Sequence, residues 1–204
     1  QLHQLDIDTI ELGNYGKRED YLSRQINRWS AQLSAATIPL PQGALRLMDW
    51  LPAHLPPPQR AALIHGDFRL DNLIFHPSKN EVVAVLDWEL STLGDSTSDF
   101  FYNCMGWKIP YSLWRGIGGV DLNELGIPSL NHYIAMYEKN NHCQVQNPVF
   151  YLAYNFFRIA GILYGIANRA KQGTAAAKDA YETGQKAGPI AQIGWDIATG
   201  KIQI

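Results

Sequence analysis

The sequence predicts an α+β fold, mainly helical, with a small β-hairpin set among the helices, and three observations lead to it. Apolar residues recur at three- and four-residue steps over Arg18–Ala36, and the long apolar stretch Val149–Arg169 is of helical length. Two short apolar runs, Leu73–Phe75 and Val82–Leu86, flank the turn-forming Pro77-Ser78-Lys79-Asn80 in the pattern of a hairpin. A chain of 204 residues that is 46% hydrophobic can bury one sizeable core, and no repeat, low-complexity tail or second domain interrupts it.

The elements follow in order. Residues Gln1–Leu12 read as a linker or short helix, and Gly13 and Gly16 punctuate the loop after it. In the first long helix Tyr21, Leu22, Gln25, Ile26, Trp29 and Leu33 share a face, with Trp29 expected in the core. The segment Ile38–Pro41 breaks it. A second helix is expected over Leu45–Leu51, with Pro52 and Pro56–Pro58 marking a connection and Pro58 near a helix start. After the hairpin, Trp88 is expected to pack inward. Gly94 is expected to mark a turn, and Asp95 and Ser96 to cap a buried helix carrying Phe100, Phe101 and Tyr102. Met105–Val120 reads as an aromatic, Gly-rich loop in which Trp107, Tyr111 and Trp114 either wall a pocket or pin the loop. Leu130–Glu138 is helical and ends in the polar run Lys139–His142. Ala175–Ala187 favours helix, Gly188-Pro189 stops it, and Ile190–Ile204 closes the core with a last short helix.

Composition narrows the function classes. A net charge of −2 gives no case for nucleic acid or an acidic membrane surface. Two cysteines, Cys104 and Cys143, are too few for a disulfide framework and lack metal-ligand spacing, which fits a reducing cytoplasmic setting. The apolar stretch Val149–Ala167 carries Asn155 and Arg158, so it reads as a buried helix and not a membrane span.

The chemistry is concentrated in Leu63–Glu89. There His65, Asp67 and Asn72 have the H-x-D-x-x-x-x-N spacing of a kinase catalytic loop, and the run after the hairpin turn ends in Asp87. Phosphoryl transfer needs positioning and charge neutralisation more than covalent help. Asp67 would take or orient the proton of an attacking hydroxyl. Asn72 and Asp87 would hold Mg²⁺, which accepts few protein carboxylates and leaves other positions to water and phosphate. Arg69 would face the transferred phosphate. Glu89, two residues past Asp87, shares its side if the strand continues and is either a secondary metal or water contact or part of an ion-pair network. Arg158 on its apolar helix either pairs with an acid such as Asp99 or clamps an anionic group of the substrate. His54 and His76 sit in turns without partners and read as surface residues. The Gly116-Ile117-Gly118-Gly119 run has no strand before it and no Lys-Ser/Thr after it, so it fails as a phosphate loop.

On HGDFRLDN and VLDWELSTLGDSTSDF, with GKREDYLSRQINRW before and FRIAGILYGIANR after, the chain resembles the aminoglycoside phosphotransferase and choline kinase-like superfamily, in its branch associated with acyl-CoA dehydrogenases. The resemblance covers essentially the whole chain and implies a protein-kinase-like C-terminal lobe. It implies structural support for the loop from His65 and from Asp99, the latter through backbone donors. It also implies ATP as phosphoryl donor and an N-terminal lobe with a nucleotide-covering loop and a strand-borne Lys. Neither feature is found in residues 1–204, so the chain is expected to be the C-terminal lobe alone and by itself to bind ATP poorly. The expected function is an ATP- and Mg²⁺-dependent kinase for the hydroxyl of a small molecule, and the branch resemblance suggests an acyl-type metabolite as acceptor. The helices over 130–169 offer Glu138 as their one acid, which disfavours a polycationic acceptor. A catalytically inactive binding or scaffold module is the alternative, and a metal-dependent hydrolase ranks below it because His-rich ligand spacing is missing.

Overall fold

A computed structural model describes residues 1–204 except 175, 176 and 178. Its centre is one long helix, α5 (Pro148–Lys171), against which α1 (Tyr21–Ser34), α2 (Gln42–Ala53), α3 (Ser96–Cys104), α6 (Ala180–Gln185) and α7 (Ala187–Ala198) all pack. Every residue from 150 to 161 is buried. That is about three helical turns without an exposed face, which only a helix surrounded by others can sustain. The length and apolarity that would also suit a membrane span are here accounted for by neighbouring helices.

The outer helices show the expected one-sided pattern. In α1 the buried residues are Leu22, Ile26, Trp29 and Leu33; in α2 they are Gly43, Ala44, Leu47 and Leu51. Helix α2 starts three residues earlier than its apolar period suggests and ends at Ala53, one residue past Pro52, which has no amide hydrogen to continue the helical ladder. Asp95 caps α3, accepting the Ser98 amide at 2.7 Å, and Ser129 caps α4 (Leu130–Asn141) by accepting the His132 amide at 3.2 Å. The helix-favouring segment 175–187 lies partly outside the described residues. Its described part breaks at Lys186, and Gly188-Pro189 fall in the first turn of α7 and do not stop a helix. Proline is compatible with that turn because the amides there have no intrahelical acceptor.

The β structure comprises two separate two-stranded ribbons. Strands β2 (Leu73–Phe75) and β3 (Val82–Val85) form the anticipated hairpin, Leu73 opposite Val85 and Phe75 opposite Val82, with an irregularity between Ile74 and Phe75. A second ribbon was not foreseen: β1 (Ala62–Ile64) pairs antiparallel with β4 (Thr92–Gly94), Leu63 opposite Leu93. Pro56–Pro58 therefore lead into a strand and not a helix, and Gly94 ends a strand instead of marking a turn. This ribbon holds the two ends of the motif-bearing segment side by side, so everything from residue 65 to 91 projects as one excursion from it.

Helices α2 and α7 meet at Gly43, where a Cβ would lie 2.7 Å from the Ala191 carbonyl carbon. Gly43→Ala should force the helices apart and cost about 1–3 kcal/mol, the usual penalty for overpacking. Gly188→Ala, where nothing lies within 4 Å, should be neutral or slightly stabilising. Urea midpoints of the two variants check the contrast.

Candidate active site

The loop that follows β1 is held by its own backbone. His65 is fully buried, and its amide donates to Asp99 Oδ2 at 2.9 Å while the Gly66 amide donates to Asp99 Oδ1 at 2.7 Å. The Gly66 carbonyl accepts from Arg158 Nη2 at 2.6 Å. Gly66 has φ +85°, and a Cβ there would meet the Leu90 carbonyl oxygen at 2.5 Å, so glycine is required twice over. The His65 ring continues the bracing. Its Nδ1 accepts the Asp67 amide at 3.2 Å, which leaves Nε2 as the donor to the Leu86 carbonyl at 2.9 Å. The Leu86 amide donates to the Asn72 carbonyl at 2.8 Å. Leu86 is thus tied to the loop on both sides, and this brings Asp87 to it.

Asp67 is gripped through both carboxylate oxygens. Oδ1 accepts the Tyr102 hydroxyl at 2.5 Å; Oδ2 accepts Arg69 Nε and Asn72 Nδ2, each at 3.1 Å. Burial, and then the Asp67 charge beside it, push the Tyr102 phenol far above its ordinary value, so it stays a proton donor. Tyr102 went unnoticed as a site residue in the sequence. The available signal was its position three residues after Asp99, one turn along the same helix face. Arg69 does not stand free to face a phosphate: it also bonds Asp71 Oδ2 at 2.9 Å, and Arg115 joins the same oxygen at 3.2 Å.

The metal-ligand pair is placed differently. Asn72 is buried, its Nδ2 engaged by the Asp67 carbonyl at 2.8 Å and by the Asp67 carboxylate, while its Oδ1 accepts no hydrogen bond among the described residues. Asp87 is exposed, and among the described residues its carboxylate has neither a hydrogen bond nor an ion pair. One free amide oxygen and one free carboxylate are hard donors of the kind Mg²⁺ takes, and they leave room for water and phosphate. Among the described residues no three of His, Cys, Asp and Glu gather as a ligand set, so a zinc-type centre is not built here.

The strand does not continue through Asp87. Asp87 has φ 65° and ψ 57°, and residues 88–90 form a 3₁₀ turn. Side-chain alternation therefore lapses, and with it the reason for placing Glu89 beside Asp87; Glu89 is exposed and without a partner among the described residues. Trp88 is not in the core: it is about two-fifths exposed, lies 4.7 Å from the His65 ring and donates its indole N–H to the Val85 carbonyl at 2.8 Å.

Arg158 is buried at 7% exposure, and no acid lies within ion-pair distance of it among the described residues. Its guanidinium serves the Gly66 carbonyl and lies 4.9 Å over the Tyr102 ring. It is a brace within the protein, neither paired with Asp99 nor open to a substrate anion. Asp99 takes His3 instead, whose Nε2 lies 3.1 Å from Oδ2 and whose Nδ1 lies 2.8 Å from the Tyr137 hydroxyl. Burial alone would raise the Asp99 carboxyl, but the bonds from His3 and from the two loop amides outweigh it and hold the group below its ordinary value. Trp107 donates to the Pro128 carbonyl and stacks on Tyr133 at 4.8 Å, so it pins its loop. In front of Tyr133 opens a cavity of about 370 Å³ that reaches Phe68, the neighbour of Asp67, with His3, Asn103, Met136 and Tyr137 on its walls.

Residues 1–124 match the model of the phosphotransferase enzyme family. The chain belongs to that family. A crystal structure of a putative aminoglycoside phosphotransferase from Ralstonia eutropha superposes with a TM-score of 0.94 at 44% identity, over 98% of this chain and 61% of that one. The fold is the kinase-like C-terminal lobe, α+β and mainly helical. Mouse acyl-CoA dehydrogenase family member 10 is 44% identical over 98% of this chain, and human acyl-CoA dehydrogenase family member 11 is 35% identical over 97% of it. The chain spans only 19% and 26% of those two proteins.

Because the Asp99 carboxyl is lowered in the fold, its stabilising contribution is complete above about pH 4 and is lost as pH falls through the lower folded value. Asp99→Asn should cost about 1.5–3 kcal/mol at pH 7, the range for charged hydrogen bonds, and the gap to the unmutated chain should close toward pH 3. Urea melts at pH 7, 5 and 3 measure it.

Proposed function

We propose that this phosphotransferase lobe serves an ATP- and Mg²⁺-dependent small-molecule kinase that moves the γ-phosphate to a hydroxyl of its acceptor. The observation that carries the reading is the pairing of a restrained carboxylate, Asp67, with two uncommitted oxygen donors, Asn72 Oδ1 and the Asp87 carboxylate, within one braced excursion. Asp67 orients the acceptor hydroxyl and takes its proton. Asn72 and Asp87 hold Mg²⁺, which when bound neutralises charge on the phosphates. Arg69 leaves Asp67 and Asp71 to meet the charge developing on the transferred phosphoryl group. A binding or scaffold module would need none of these oxygens kept free.

An N-terminal lobe supplied by the longer protein completes the nucleotide site in this reading. Support comes from the surface around the hairpin, where Leu70, Ile74, Phe75, Val83 and Leu86 are exposed, Phe75 and Val83 by about half. Apolar area of this kind marks a surface that another unit covers. The acceptor is neutral or anionic, of acyl type, and not a polycation. The cavity beside Phe68 is walled by Tyr133, Met136 and Tyr137, and its one carboxylate, Asp99, is already saturated by His65, Gly66 and His3. Relatives named acyl-CoA dehydrogenase family members agree with such an acceptor.

An ATP-consumption screen of the full-length protein carrying this chain, against hydroxyl-bearing acyl thioesters, amino alcohols and sugars, tests the proposal; turnover only with amino sugars would reverse the acceptor class. With the best acceptor, Asp67→Ala should lower turnover about 10²- to 10⁴-fold, the span of a positioned base, and unchanged turnover would remove that role. Asp87→Asn should abolish Mg²⁺-dependent ATP consumption and weaken Mg²⁺ binding measured by calorimetry with the nucleotide present.

A further inference from the structure

We infer that Tyr102 is a positioning residue for phosphoryl transfer, anchoring Oδ1 of Asp67 so that Oδ2 is the oxygen that receives the acceptor's proton. The inference rests on Asp67 being the base, and it adds which of its oxygens acts and what holds the other.

The two oxygens of Asp67 are not equivalent. Oδ1 has one partner, the Tyr102 hydroxyl at 2.5 Å, and that hydroxyl has no other partner among the described residues. Oδ2 has two partners at 3.1 Å, and both are shared: Asn72 Nδ2 also bonds the Asp67 carbonyl, and the Arg69 guanidinium also bonds the exposed Asp71. Oδ2 is therefore the oxygen that can exchange a partner without leaving a buried donor unsatisfied. Oδ1 is not, because a half-buried phenol whose one partner is this oxygen would lose its acceptor, which is costly.

Tyr102 is itself held on its far side. The Arg158 guanidinium lies 4.9 Å over the ring and donates to the carbonyl of Gly66, the residue before Asp67. One buried cation thus touches both the arm that fixes Oδ1 and the backbone that carries the carboxylate. A tyrosine has two side-chain torsions, so such an arm holds its target at low entropic cost. It sits on α3 three residues from Asp99, whose carboxylate holds the two amides before Asp67. Loop and arm are set by the same helix.

The acceptor oxygen forms a bond to the γ-phosphorus. The bond from that phosphorus to the β–γ bridging oxygen breaks, ADP leaves with its electron pair, and the hydroxyl proton passes to Oδ2 as Arg69 turns from it to the phosphoryl group. Without Tyr102 the carboxylate can rotate and present Oδ2 at the wrong place, an error that raises the barrier without touching nucleotide binding.

A double-mutant cycle in the full-length protein separates this role from a packing role, with Mg²⁺-ATP as substrate and water as the acceptor probe. Tyr102→Phe should lower kcat about 10- to 100-fold with KM for ATP within about twofold. In an Asp67→Ala background the same change should lower the residual rate less than about threefold, because Tyr102 acts through Asp67. Equal losses in both backgrounds, or no loss in either, would overturn the positioning role while leaving Asp67 as the base. A wild-type rate for Asp67→Ala alone would overturn the base reading itself. Replacing Tyr102 with 4-aminophenylalanine keeps a donor at the ring's end and should recover most of the rate; a loss as large as that of Tyr102→Phe in a folded protein would count against the inference, and this comparison serves if the Phe variant does not fold.

Discussion

The grip on Gly66 is the constraint from which the site follows. Asp99 takes its amide and that of His65, and Arg158 takes its carbonyl from the other side. A peptide held at both polar ends cannot rotate, and the carboxylate of the next residue inherits that fixity. Opposite charges could have paired directly in this buried place, yet Asp99 and Arg158 each bind backbone instead. Each removes its desolvation cost with hydrogen bonds, and each spends its directionality on the loop.

Charge is distributed across the site by accessibility. Near the core the groups are fully engaged: Asp99 with His3 and two amides, Asp67 with Tyr102, Asn72 and Arg69. Toward solvent runs a chain of exchangeable ion pairs, Asp67–Arg69–Asp71–Arg115, exposed at its outer end. Asp87 is also exposed and is unpaired among the described residues. Exposed pairs are worth little to stability, so rearranging this chain around a phosphate would be cheap.

What could be read from the sequence was whatever depended on short separation or regular period. Helices α1 and α5 carried their period and length openly, and the β2–β3 hairpin was written by its turn. His65, Asp67, Asn72 and Asp87 stand within one short stretch of sequence, so their gathering on a single braced excursion could be anticipated from spacing. The β1–β4 ribbon was hidden because its strands are three residues each, one of them preceded by a proline run. Trp88 and Glu89 were misplaced because alternation was extended past Asp87, where the backbone turns left-handed. Gly188-Pro189 resembled a stop because the same pair suits a helix's first turn. His3 was silent because a partner 96 residues away leaves no local pattern, and Tyr102, 35 residues from its partner, showed only in its place one turn past Asp99.

The long-range character of these contacts also bears on how the protein is made. The proposed reactive groups are complete by residue 87, and the match to the family model ends at 124, yet the Arg158 contact with Gly66 spans 92 residues. A nascent chain would have synthesised His65, Asp67, Asn72 and Asp87 well before the helix that steadies their loop left the ribosome. Such non-local closures form late in folding. Any shortened form ending before α5 would keep Asp67, Asn72 and Asp87 and lose the brace that holds Gly66.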